Sequence, residues 1–446
     1  MRSIKIDRTR ILCLLLLACI APLHSQAQTV TTVATFSGTD GAKPLFGPLV
    51  QAVNENLYGT AFSGGTGGNY GGTIFEIDQS GGLRTLYNFC TLANCADGEA
   101  PYAGLTKAGD GKFYGTTGYG GVSSDCPNST MVGCGTVFEI TEAGKLTTLY
   151  NFCSQPNCSD GELPQGGLVL ASNGKLYGTS GGGVAAPDGT QGGTIFTITP
   201  AGSLITIYRF CTVISGNSCA DGEAPNATLV QGPNGNLYGT TVLGGAHTAG
   251  TVFEISPTGT LVTLHSFCAQ INSAGHCADG ESPVGGLILG ANGKLYGTTT
   301  FGGRTGHGAI YEITPGVGLT TLYSFCSKAK CADGSTPEAA LLYASDGNLY
   351  GTTYQGGAGS NCTFNGKTVA AGCGTIFEVT PTGTLTTLYS FCSQTDCSDG
   401  KYPYGKLVEV GNGLLYGTTS AGGDFSGNPH GWGTVFSLAV GLDPAR

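Results

Sequence analysis

A tetrad, Leu-Tyr-Gly-Thr or Phe-Tyr-Gly-Thr, starts at Leu57, Phe113, Leu176, Leu237, Leu295, Leu349 and Leu415. Recurrence of this kind constrains a fold more than local propensity does, because every copy must make the same contacts with its neighbours. Three other runs recur with it. A run such as Gly167-Leu-Val-Leu-Ala171 precedes each tetrad. One such as Gly135-Thr-Val-Phe-Glu-Ile140 follows, seven times, the last being Gly433-Thr-Val-Phe-Ser-Leu438. One such as Leu385-Thr-Thr-Leu-Tyr-Ser-Phe391 comes next, also seven times when Val30-Thr-Thr-Val-Ala-Thr-Phe36 is counted. Four short β-rich runs therefore make each unit.

Composition supports strands joined by turns. Glycine supplies 78 of 446 residues and proline 19, which disfavours long helices, since an interior glycine costs about 0.5–1 kcal/mol relative to alanine. No Gly-X-Y period exists, so collagen is excluded. With 40% apolar residues in regular runs, plain disorder is excluded as well. Asn173-Gly174, Asn292-Gly293, Asp346-Gly347 and Asn412-Gly413 suit tight hairpins between the first run and the tetrad. Pro257-Thr-Gly259 and Pro381-Thr-Gly383 turn the third run into the fourth. Each unit reads as a four-stranded antiparallel meander.

One such sheet cannot bury both faces, but seven arranged radially can. The expected fold is all-β, a seven-bladed β-propeller. The chain opens with a lone outer strand, residues 30–36, and ends with three strands in residues 405–440. The opening strand is expected to complete the last blade and close the ring. A linear solenoid, the competing architecture, would gain nothing from that permutation.

Arg2, Lys5, Arg8 and Arg10 precede an apolar run from Ile11 to Ala21, then Pro22 and Ser25-Gln26-Ala27. Residues 1–27 read as a secretory signal peptide, leaving residues 28–446 as a single propeller domain. Leu16-Leu17-Ala18-Cys19 offers a lipoprotein reading with Cys19 lipidated. Without residues 1–27 the chain keeps 15 basic and 28 acidic residues, net −13. That balance argues against nucleic acid and anionic membranes as partners. No other stretch is apolar and long enough to span a bilayer, and a monomer is expected.

Sixteen cysteines follow the leader as eight local pairs. Six share one place in the repeat: Cys90/Cys95, Cys153/Cys158, Cys211/Cys219, Cys268/Cys277, Cys326/Cys331 and Cys392/Cys397. Cys126/Cys134 and Cys362/Cys373 share another. An even count in an exported chain reads as disulfides. Zinc would need four ligands to converge from separate units. Each small loop contributes roughly 2 kcal/mol on the chain-entropy model.

The run Leu-Tyr-Gly-Thr-Thr, then Gly-Gly, then Gly-Thr-Ile-Phe-Glu-Val-Thr-Pro, then Leu-Thr-Thr-Leu-Tyr-Ser-Phe, clearest from Leu349 to Phe391, resembles the GloVer repeat of "choice-of-anchor" bacterial surface and secreted proteins. The resemblance covers nearly all of the chain after the leader. It implies an exported bacterial protein and supplies no catalytic residues. The sequence runs eight residues past the last expected strand to Arg446 with no sorting tail among them, so retention at the cell surface is not an expectation here.

In such a blade the outer-to-inner loop and the middle-strand loop emerge on one face, which is thus rich in loops and braced by cysteines. That face is the expected binding face. Asp-Gly-x-x-Pro recurs there at Asp40, Asp97, Asp160, Asp221, Asp279, Asp333 and Asp399, with Glu99, Glu162, Glu223 and Glu281 added in four copies. Two readings stand: a ring of Ca²⁺ ligands, or carboxylates that accept backbone N–H groups in their own turns. No cofactor is expected beyond that candidate Ca²⁺. The tetrad tyrosines are expected to pack between blades rather than form a sugar platform. A site should break the sevenfold pattern, so the candidate binding residues are Tyr119, His247, Arg304, His307, Tyr354, His430 and Trp432, the only tryptophan. Gln51, Lys107 and Glu409, on adjacent inner strands, are candidates to line the channel.

The chain shows no Gly-x-Ser-x-Gly elbow, His-Glu-x-x-His or P-loop. The leading functional expectation is a non-catalytic exported propeller that binds a glycan or a cell-envelope protein. The alternatives are a secreted lyase or hydrolase, with a metal or carboxylate site at the channel mouth, and a structural envelope protein.

Overall fold

The computed structural model describes residues 28–441, apart from 46, 68–69, 124–125, 127–132, 184–191, 217, 360–361, 365–366, 369–371 and 412. The expected leader with Cys19, and Asn412 of one hairpin, lie outside the described residues.

Seven four-stranded antiparallel units surround a central channel. Blade 1 runs from the axis outward as Val50–Gln51, Leu57–Ala61, Thr73–Ile77 and Leu83–Asn88. Blades 2 to 6 repeat this order over residues 106–151, 169–209, 230–266, 288–324 and 342–390. Blade 7 takes its three inner strands from the end of the chain, Val408–Val410, Leu414–Ala421 and Thr434–Ala439, and a short extra strand, Lys401–Pro403, pairs with Leu414–Ala421. Its outer strand is Val30–Thr35, antiparallel to the last strand from Val30↔Leu438 to Thr35↔Thr434. The expected closure is therefore present.

The pairing details repeat too. In every blade the register between third and outer strands slips by one residue, and the opening strand slips between Thr32 and Ala34 like the others. The extra residue lets the next blade in. A Cβ on Gly144 would lie 2.7 Å from the carbonyl oxygen of the bulged Leu86, and one on Gly81 would lie 3.1 Å from that of Val33. Val33 thus seats the turn of blade 1 as Leu86 seats that of blade 2.

The core is divided among the seams between blades. Tyr58 of blade 1 packs with Phe113, Phe138 and Ile140 of blade 2. Tyr114 packs with Leu176 and Phe196 of blade 3, and the pattern continues to Tyr416 of blade 7, which meets Leu57 and Phe75 of blade 1. Six of the tetrad tyrosines are fully buried or nearly so. Their hydroxyls meet the hairpin residue four positions before, as in Asn292 Nδ2 to Tyr296 at 2.7 Å and Tyr114 to Asp110 at 2.8 Å. The tetrad glycine is needed for space. A Cβ on Gly178 would stand 2.5 Å from the Phe196 ring tip of the adjacent strand.

Blade 5 carries tyrosine where the other blades have that phenylalanine. Tyr311 is fully buried and its hydroxyl has no hydrogen-bond partner. A buried donor without an acceptor costs about 1–3 kcal/mol. Tyr311→Phe is therefore expected to stabilise the protein by about 1 kcal/mol, measured by reversible urea unfolding under oxidising conditions. A loss of stability would mean that the hydroxyl has a partner in solution.

Candidate functional site

All eight expected cysteine pairs are disulfides. Four of them close around short 3₁₀ turns: Ala93–Cys95, Pro156–Cys158, Ala329–Cys331 and Thr395–Cys397. In these four the second cysteine takes a left-handed backbone, with φ of 52° at Cys95, 49° at Cys158, 52° at Cys331 and 49° at Cys397.

All six pairs hold the expected place in the repeat, but Cys211–Cys219 and Cys268–Cys277 close loops of another shape there. These loops span 8 and 9 residues, against 5 in the other four. The longer loop has no need of the 3₁₀ turn, and neither Cys219 nor Cys277 has positive φ. Cys219 instead lies in a small hairpin strand, Ser218–Cys219, paired with Ile214–Ser215. Cys277 forms an isolated bridge with Ile271. Both cysteines are buried, Cys219 at 0% exposure and Cys277 at 9%. They therefore brace their loops from beneath and offer a ligand no contact surface.

Beneath each loop of this class sits the aspartate of Asp-Gly-x-x-Pro. Asp333, fully buried, accepts from the Tyr323 hydroxyl at 2.7 Å, Ser327 N at 2.9 Å and Lys328 N at 3.1 Å. Asp97, Asp160, Asp221 and Asp399 accept from Tyr87, Tyr150, Tyr208 and Tyr389 in the same way. Burial, and then the nearby aspartate, pushes the Tyr87 hydroxyl up to about 12.

Two copies differ. Asp279 meets His265 Nε2 at 2.9 Å instead of a tyrosine. Burial alone would raise its carboxyl, but His265 and backbone amides outweigh that and hold it below the ordinary value. Asp40 is half-exposed and accepts from Ser37 N and Oγ at 2.8 and 2.9 Å.

Of the added glutamates, Glu99, Glu162 and Glu223 are buried, and Glu99 accepts from Tyr70 N at 3.0 Å. Glu281 is half-buried. Among the described residues, every gathering of three or more His, Cys, Asp or Glu donors includes disulfide cysteines, whose sulfurs are already bonded to each other.

The candidate binding residues are scattered. His247, His307 and His430 are exposed. Arg304 reaches Ser327 Oγ at 2.9 Å. Trp432 is half-buried, lies against Gly38 and donates its indole N–H to Ser426 O at 2.9 Å. Gln51 and Glu409 are used on the short-turn face: Gln51 Nε2 reaches Glu55 O, and Glu409 accepts from Ser345 N and Oγ of blade 6. Only Tyr119 and Tyr354 join a larger cluster, through other aromatic rings at the mouth of the channel.

That mouth is formed by residues the motif search passed over. After each Asp-Gly-x-x-Pro the chain turns into an inner strand, and the residue following proline changes from blade to blade: Tyr102, Gln165, Asn226, Val284, Glu338 and Tyr404 in blades 2 to 7. A cavity of about 400 Å³ opens there, lined by Gln165, Asn226, Glu338, Tyr404 and, two residues further on, Thr228 and Lys406.

One arc of the mouth is aromatic. Tyr102 lies 4.7 Å from Phe62 and 6.4 Å from Tyr119, centroid to centroid. Tyr354 stacks on Tyr402 at 4.9 Å and meets Tyr404 edge-on at 5.0 Å. The Tyr404 hydroxyl is hydrogen-bonded to Glu338. Burial pushes the Glu338 carboxyl above its ordinary value, although Tyr404 draws it part of the way back. Burial pushes the Tyr404 hydroxyl up as well, reinforced by Glu338. Burial alone lowers the Lys406 ammonium. No histidine, cysteine or aspartate lines the cavity. Its wall is largely apolar, with Leu229, Leu287, Leu289 and Leu342 among its residues, and carries amides, a carboxyl, two phenols and an ammonium, which suits a ligand with both an apolar face and polar groups. The break in repetition at the position after proline was the sequence signal that would have located it.

Two predictions test these groups. Asp333→Ala strips three donors of their acceptor and is expected to cost about 2–3 kcal/mol in urea unfolding, with the wild-type midpoint unmoved by calcium or chelator. A calcium-dependent rise that Asp333→Ala abolishes would assign the carboxylate to a cation instead. For Glu338, the folded carboxyl titrates above its ordinary 4.5, so the native state holds that proton more tightly. The linked stability is full below the unfolded value and is lost as pH rises through the folded one. The stability of Glu338→Gln relative to wild type is therefore expected to rise as pH increases above the ordinary carboxylate range; parallel pH profiles would refute this.

The family model described as the Gloeobacter/Verrucomicrobia repeat matches residues 19–217, 128–365 and 278–442. No curated protein matches the chain. Among solved structures, the chain is similar to a putative 6-phosphogluconolactonase from Bacteroides uniformis, at 16% identity and TM-score 0.45, covering 81% of this chain and 95% of that one. It is also similar to a putative oxidoreductase (glucose dehydrogenase) from Thermus thermophilus, at 15% identity and TM-score 0.43, covering 92% and 99%. A third is the PQQ-bound aldose sugar dehydrogenase of Streptomyces coelicolor, at 14% identity and TM-score 0.41, covering 92% and 98%. These likenesses are loose and concern the fold alone. With repeat matches that together span most of its length, the chain belongs to the Gloeobacter/Verrucomicrobia repeat family.

Proposed function

We propose that this protein is an exported, non-catalytic propeller that binds a glycan at the channel mouth on its disulfide-braced face. One observation carries the reading. In a molecule that repeats itself sevenfold, the polar residues in the wall of the channel cavity do not repeat, and they are of the kinds that bind sugars elsewhere: amides, a carboxyl and tyrosine faces. Rigid surroundings favour recognition by limiting the ordering cost on binding. The eight disulfides suggest an oxidising compartment, and no helix among the described residues is long and apolar enough to cross a membrane. Export by way of residues 1–27 is part of the proposal, as is a single domain over residues 28–446.

The second reading, a secreted hydrolase or lyase, is favoured by one feature. Glu338 is a carboxyl pushed up by burial and hydrogen-bonded to a phenol, a suitable general acid.

A glycan array followed by calorimetry tests both. Wild type is expected to bind a subset of polysaccharide fragments without cleaving them. Tyr404→Ala and Asn226→Ala are each expected to weaken binding about tenfold or more, while His247→Ala and His430→Ala leave it intact. Absence of binding to every carbohydrate would refute the proposal. Product formation abolished by Glu338→Gln would establish the second reading.

A further inference from the structure

Lys406 lies in the wall of the channel cavity. It follows the proline of blade 7 by three positions, and the residues at the same distance in blades 2 to 6 are Gly104, Gly167, Thr228, Gly286 and Ala340. One long cationic side chain therefore stands in a ring of small ones. The small residues are required by packing: a Cβ on Gly167 would lie 2.7 Å from Thr228 Oγ1, and one on Gly104 would lie 2.5 Å from Pro48 O. Lys406 meets no such requirement of its own.

Several charges elsewhere in the blades are paired, although Lys401, buried against the Tyr402 and Phe425 rings, is not. Glu76 is held by Arg84; Glu139 meets Lys112 at 2.8 Å and Glu312 meets Lys294 at 2.7 Å. Lys406 forms no ion pair or hydrogen bond among the described residues. A cation surrounded by protein without a counter-charge is costly, and its ammonium is lowered by burial alone, with no neighbouring carboxylate acting on it. Glu338 is the only carboxyl on the cavity wall, and it is turned to Tyr404. The chain as a whole is acidic, net −10, so an unmatched lysine inside it is not a consequence of basic composition. In the same cavity wall, the Gln165 and Asn226 amides likewise form no hydrogen bond among the described residues, and Asn226 Oδ1 is buried without a partner.

We propose that the channel ligand is an acidic glycan, whose uronate carboxylate pairs with Lys406 while its hydroxyls meet Gln165, Asn226 and Tyr404. This rests on the glycan reading above and narrows it. The pair would form at the half-buried cavity wall, where a charge pair is weighted more than at the open surface. Thr228 and the small residues beside it leave room for the carboxylate to approach.

Calorimetry at low salt, with oligogalacturonate and glucuronate-containing oligosaccharides against neutral oligosaccharides of equal length, tests this directly. Wild type is expected to prefer the acidic member of a pair by about tenfold or more, and to lose that preference as salt rises. Lys406→Met is expected to abolish the preference, and Lys406→Arg to retain it. Equal affinity for acidic and neutral members in wild type, or a preference that survives in Lys406→Met, would overturn the inference and leave the glycan reading standing. No binding by any sugar would overturn both. Should Lys406→Met fail to fold, the acidic-to-neutral ratio and its salt dependence in wild type decide alone.

Discussion

The structure depends on the seam between neighbouring blades, and every residue of the tetrad serves it. The tyrosine of one blade enters the space between its own sheet and the next, where the next tetrad's leucine or phenylalanine and a third-strand aromatic receive it. Glycine leaves room for the phenylalanine of the adjacent strand. Threonine donates across the seam, as Thr60 does to Ala103 O at 2.9 Å and Thr298 to Ala339 O at 3.0 Å. Burying each tyrosine is worth on the order of 2 kcal/mol, and its hydroxyl is satisfied at the rim by the hairpin asparagine or aspartate. A single blade offers none of these partners, so the units are stable only together.

A ring made of seams has no caps, so closure is a structural necessity. Val30–Thr35 provides it by repeating every feature of an outer strand, including the bulge at Val33. Disulfides act at a different level. Each joins cysteines between 5 and 11 residues apart, within one loop, so they stiffen the loop-rich face without holding blades to one another. The buried aspartate beneath the loop completes that brace, linking the loop to the outer strand through a tyrosine hydroxyl.

Blade number, strand order, closure and all eight cysteine pairings could be read from the residues, because each is repeated and each copy reports the same constraint. The burial of Tyr58 or Tyr296 followed from the same logic. Loop shape did not follow where the spacing changes: the extra residues before Cys219 and Cys277 replace a 3₁₀ turn with extended pairing. The candidate site was legible only in principle. The one-off residues of the middle-strand loops misled, because His247 and His430 vary where little is packed on them, while Gln51 bonds within its own hairpin and Glu409 joins that of blade 6. The rarity of Trp432 was a poor guide, since its ring covers Gly38 and its N–H has a backbone partner. Locating Glu338, Tyr404 and Lys406 required knowing which positions of an inner strand face the axis, and a two-residue strand has too short a period to reveal that.

The seam also explains why variation is allowed at the mouth. The tetrad threonine grips backbone, not side chain: its acceptors are the carbonyls of Ala103, Gly166, Ala227 and Ala339. Each of these residues directly follows one that faces the mouth: Tyr102, Gln165, Asn226 and Glu338. The main chain is held firmly there, yet the identity of the preceding side chain is not fixed by the seam. Thr240 and Thr352 lack this partner and are buried without one, so the grip is not made at every seam. A repeat that must conserve its backbone contacts thereby leaves one ring of side chains free to differ, and a ligand would be recognised by that ring.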